Sequence, residues 1–91
     1  MYTVHEGQSK QNIATTATTT TVIQDAKTFL GVFVSQASST PTLQVRDGNG
    51  NIFNTFTPAA GTLYALPCIV QGVLAVTTGG TMDCTVAFGV M

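Results

Sequence analysis

A chain of 91 residues allows one domain with a single modest core, because small domains bury a smaller share of their surface than large ones. Only 8% of its residues are charged while 44% are hydrophobic, against roughly 25% charged in an average soluble domain, so much of the exterior must be neutral. Lys10, Lys27 and Arg46 are the only basic side chains, which leaves no basic stripe for nucleic acid. No apolar run approaches the roughly 20 residues that span a bilayer.

The first 18 residues differ from the rest, with His5, Glu6, Lys10 and several amides leading into the tract ATTATTTT at positions 14–21. Such a stretch has high β propensity but little to bury, and it is expected to form an extended N-terminal arm over residues 1–18 that lies against a neighbour, the alternative being a frayed terminus. The opening MYTVHEGQSKQN lacks the apolar centre of a signal peptide. Cys68 and Cys84 are accordingly expected to be reduced thiols.

The remaining chain, 19–91, is expected to be one β-sandwich domain. A first strand is predicted over 19–24, followed by a turn at Asp25-Ala26-Lys27. The segment 28–35, TFLGVFVS, is apolar on both faces, with Phe29, Gly31 and Phe33 on one and Leu30, Val32 and Val34 on the other. Such a strand requires cover twice, from its own core and from a second layer such as another subunit. Gly31 marks a bulge or a close backbone approach.

Residues 42–57 read as a hairpin about Asp47-Gly48-Asn49-Gly50-Asn51, with Leu43 and Val45 alternating against polar neighbours. A short strand over 62–66 is expected to stop at Pro67, a longer one to run over 69–77, and Gly79-Gly80 to turn the chain back. The last strand, 82–90, alternates cleanly, placing Met82, Cys84, Val86, Phe88 and Val90 inward. About seven strands, spaced by Gly, Pro, Asn and Asp turns and with no helical period, predict an all-β fold. The expected form is a compact antiparallel β-sandwich or jelly-roll-like domain. With few charges to guard its edges, such a domain is expected to pair with itself as a homodimer or homotrimer.

No catalytic, cofactor-binding or metal-binding residues are assigned. The only imidazole, His5, sits in the arm, so no nucleophile, base and orienting group come together, and the chain is not expected to be an enzyme. Two thiols and one distant imidazole do not make zinc-ligand spacing. Asp47, Asn49 and Asn51 imitate the start of a calcium loop, but Ile52 stands where a Gly is required and Pro58 where a bidentate Glu is required. A hairpin turn accounts for the same residues through backbone needs alone. Aromatic side chains in a sandwich also admit a sugar-binding module, a reading weakened by the absence of Trp.

From Thr40 to Val86 the punctuation follows an ordered series. It comprises Thr42-Leu43-Gln44-Val45, Asp47, Phe56-Thr57-Pro58, Gly61-Thr62, Tyr64, Leu66-Pro67, Gly72, Gly80-Thr81, Asp83 and Thr85-Val86. In this the chain resembles small phage structural proteins of the capsid-decoration, or cement, type. The resemblance covers about half the chain and carries over no catalytic residue. It implies a virion component, made in the host cytoplasm, that sits on the outer capsid. Its partner would be the major capsid protein, whose neighbouring subunits it would tie together. A tail or fibre module draws on the same features.

Overall fold

The computed structural model describes residues 8–38 and 40–90, which form eight antiparallel strands and no helix. They are β1 (Gln8–Thr15), β2 (Thr19–Ile23), β3 (Thr28–Ala37), β4 (Thr42–Asp47), β5 (Gly50–Phe56), β6 (Thr62–Ile69), β7 (Leu74–Gly79) and β8 (Met82–Gly89). Two four-stranded sheets result, ordered β1-β8-β3-β6 and β2-β7-β4-β5. Strand β1 pairs with β8, β2 with β7, β3 with β6 and β4 with β5. The chain is therefore one long antiparallel ribbon folded over on itself, the wiring of an eight-stranded jelly roll.

The extra strand relative to the sequence expectation is β1, which falls within the stretch read as an arm. Gln8 through Thr15 pair residue by residue with β8 of the same chain, from Gln8↔Gly89 to Thr15↔Met82. Its backbone hydrogen bonds, and Ile13 as its one buried apolar side chain, tie it to the sheet. Sequence pattern misses such a strand because an edge strand needs only one inward anchor. Residues 1–7 of the expected arm, with His5, lie outside the described residues.

The core forms between the two inner faces. On β8, Met82, Cys84, Val86 and Phe88 point inward, as their period-two spacing predicts, while Val90 lies past the strand end and is exposed. Opposite them on β3 stand Ala37, Val34, Val32 and Phe29. That set is not spaced by two, and β3 reaches it by leaving Leu30 and Ser35 unpaired as bulges against β8. The bulge at Leu30 corrects the expected facing: Phe29 joins Val32 and Val34 inside, and Phe33 turns to the outer face, 42% exposed. The second sheet contributes Ile23, Leu43, Val45, Leu74 and Val76.

Pro67 does not end a strand, contrary to expectation. It lies within β6, where the pairs Phe29↔Cys68 and Gly31↔Ala65 leave Leu66 and Pro67 opposite Leu30 alone. A bulge on an edge strand has no ladder bond for a proline to lose, so the strand continues to Ile69. The expected strand over 69–77 is correspondingly shortened to β7, with Val70 to Val73 forming a loop.

The hairpin between β4 and β5 forms as expected, although only Gly50 of its turn takes a positive φ, 135°. Among the described residues one side-chain polar atom is stranded in the core: Thr78 on β7 is fully buried and its hydroxyl has no partner there. Thr78→Val keeps the shape and removes the stranded hydroxyl. It is expected to stabilise the fold by about 1–3 kcal/mol in urea unfolding. A loss of stability would mean that the hydroxyl is satisfied by a buried water.

Candidate interaction surface

The two-sided apolar character of β3 has its counterpart on the outer face of the first sheet. Because Val32 and Val34 point inward, Phe33 points outward, and its neighbour across the ladder is Leu63. Leu63 is 62% exposed and Ile69, opposite Thr28, is 72% exposed. Leu66 at the bulge is 44% exposed. Phe33, Leu63 and Ile69 make an apolar patch on the β3–β6 half of the face, with Leu66 at its edge. The β1–β8 half of the same face is polar, with the Asn12 amide donating to the Asp83 carboxylate at 2.7 Å and to the Cys84 carbonyl at 3.0 Å.

The patch has a rigid support beneath it. Tyr64 on β6 packs against the core and continues an edge-to-face series from Phe29 through Phe53 and Phe56, with ring centroids 5.0–5.8 Å apart. The Tyr64 hydroxyl accepts the Ala59 amide at 2.8 Å, and the Gly61 amide donates to the Val34 carbonyl at 2.6 Å. Together these bonds hold the β5–β6 connection against β3 and set the position of β6.

The Asp47 turn has a structural role. Its Oδ1 accepts the Asn49 amide and its Oδ2 the Gln71 amide, both at 2.9 Å, while the Gly48 amide donates to the Gln71 carbonyl at 2.6 Å. Both carboxylate oxygens are thus engaged in fastening the hairpin to the loop after β6. The Gln71 amide, more than any other group, holds the Asp47 pKa below the usual 3.8. A carboxyl whose pKa is lowered by folding contributes stability that is present above its unfolded pKa and is lost as pH falls through the folded one. Asp47→Asn offers one acceptor where two are needed, and is expected to cost about 1 kcal/mol at neutral pH, a modest value because solvent screens the site. Below pH 3.8 the two proteins' stabilities should converge in acid titrations followed by circular dichroism. A constant gap down to the lowest pH would refute the role of the charge.

The thiols are free, Cys84 buried and Cys68 partly so. Burial first, and the Asp83 charge second, push the Cys84 thiol up to about 11, so it stays protonated at neutral pH. Burial and then the Asp47 charge raise Cys68 as well. Among the described residues no three of His, Cys, Asp and Glu converge as metal ligands. An open groove of about 490 Å³ at the end of the first sheet is lined by Thr15, Thr16, Gln36, Thr81 and Asp83, among others, with Asp83 its single ionisable group.

No site residue was assigned from sequence, and the patch was not recognised there as a unit. Period two puts Phe33 on the same face as Phe29, and Ile69 falls in a different expected strand from Leu63. The available signal was the need of β3 for cover on both faces. Comparisons with protein-family models, with curated proteins and with solved structures find no match to this chain.

Proposed function

We propose that this chain is a virion structural protein of the capsid-decoration type, one that binds the outer capsid and ties neighbouring coat subunits together. The observation that carries the reading is an exposed apolar face, with Phe33, Leu63 and Ile69, on a domain with very few charges, as expected of a chain that works within an assembly. Contiguous apolar surface of this kind marks an interaction site rather than ordinary exterior. The jelly-roll wiring suits the reading, since that architecture recurs in viral capsid domains, although it also occurs in lectins and cupins. The order of punctuation from Thr40 to Val86 adds the resemblance to cement proteins. The partner in this reading is the major capsid protein, and the location is the virion surface.

The test is co-sedimentation of the purified chain with capsids that lack it, scored as bound copies per capsid. Saturation at a number fitting the capsid symmetry is expected, and it should persist in 1 M salt, where the Debye length falls to about 3 Å and charge pairing is screened. Absence of binding by folded protein would overturn the reading in favour of a tail, fibre or glycan-binding module. Retention on a glycan surface with release by free sugar would then identify the last of these.

A further inference from the structure

We infer that the outer face of β3–β6 is the self-interface of a two-fold symmetric dimer, in which two copies pack this face against each other. Its relief is self-complementary. The paired side chains of Phe33 and Leu63 make one ridge, and Ile69, opposite Thr28, makes a second. Between them runs a low row of small residues, Ala87, Gly31 and Ala65, aligned across three strands. Alternate residues along a strand are about 7 Å apart, enough for a ridge of one copy to seat over the low row of the other. A two-fold axis makes that contact twice.

Charge and area point to the same occupant. No member of the ridges or of the low row is charged, so the face calls for no partner of opposite charge and meets its own copy without repulsion. The charged groups Lys10 and Asp83 belong to the β1–β8 half of the sheet. From their fractional exposures, Phe33, Leu63 and Ile69 present on the order of 300 Å² of apolar surface. A stable interface buries about 800 Å² per partner, somewhat more than half of it apolar, so the patch supplies most of the apolar share. Pairing of β6 edges into a continuous sheet is disfavoured, because Pro67 lacks an amide proton and the bulge at Leu66 and Pro67 interrupts the edge. Side-chain packing across the faces is the remaining mode.

The dimer carries a consequence that rests on the proposed function. Every other surface of the domain is then presented twice, and a protein that ties two coat subunits together needs two equivalent binding surfaces.

The test is sedimentation equilibrium of the full chain from about 1 to 200 μM, a range that brackets weak to moderate self-association. The expected result is a mass twice the 9.5 kDa of one chain. Leu63→Glu and Ile69→Glu change exposed side chains, so circular dichroism and melting should show a retained fold, while dimerisation weakens at least about thirtyfold. Val22→Glu, half exposed but on the outer face of the other sheet, should leave the dimer intact. A monomeric parent throughout, a trimer, or a dimer unaffected by both Glu variants would overturn the inference. Failure of the function is separately visible: a dimer that binds no capsid keeps this inference and removes the other, and a monomer that saturates capsids does the reverse.

Discussion

Phe29→Ala should lower the stability by about 3–5 kcal/mol, the cost of emptying a large aromatic site in a packed core. Phe29 is fully buried, faces Phe88 on one side and Cys68 on the other, and meets Phe53 edge to face at 5.8 Å and 84°. It begins the aromatic series that runs through Phe53 and Phe56 to Tyr64, linking the hairpin of the second sheet to β6 of the first. Domains of this size have roughly 5–15 kcal/mol to lose, so the variant should unfold at much lower urea. Phe29→Leu fills most of the space and should retain the greater part of the stability. Should Phe29→Ala shift the midpoint by no more than an exposed substitution does, the placement of Phe29 inside the β3 bulge would be wrong.

Gly31→Ala tests the same bulge from the other direction. In an ordinary strand this exchange stabilises by about 0.5–1 kcal/mol, because Gly gives up more backbone freedom on folding. Here an added Cβ would stand 2.9 Å from the Tyr64 carbonyl oxygen and 3.1 Å from the Ala65 Cα. Both neighbours are backbone, held by the β3–β6 ladder, and neither moves aside as a flexible side chain would. A loss of about 1–3 kcal/mol is therefore expected, the usual range for overpacking. Thermal melting decides the sign, and a raised midpoint would mean that β3 and β6 lie farther apart than described. Because Gly31 forms part of the low row between the two ridges, the variant also bears on the dimer. Reduced self-association with a folded monomer would be consistent with that row being an interface floor.

The dimer takes this face for a second copy, so the capsid contact belongs to the surfaces it leaves free. A patch that bound coat protein directly would be unavailable to a second copy. Comparing Ile69→Glu with Val22→Glu in capsid binding separates these assignments. Each side chain is at least half exposed, so neither substitution disturbs the core.

What the sequence determined by itself was whatever depends on neighbours along the chain. The period-two alternation of β8 placed Cys84, Val86 and Phe88 inside, Leu43 and Val45 likewise faced the core, and the Asp47–Asn51 punctuation made the hairpin. The all-β class followed from these local signals, as did the expectation that Gly31 marks a bulge or close approach. The tertiary structure alone decided matters that depend on which strands become partners. A bulge is defined against another strand, so the reversal of Phe33 could not be counted from β3 itself. Pro67 is tolerated only because β6 lies at a sheet edge, and β1 is a strand only because β8 offers it a ladder. Asp47 reaches its decisive partner, the Gln71 amide, across 24 residues of sequence. The apolar patch arises in the same way: period two puts Leu63 and Ile69 on one face of β6, and the bulge of β3 at Leu30 turns Phe33 to meet them.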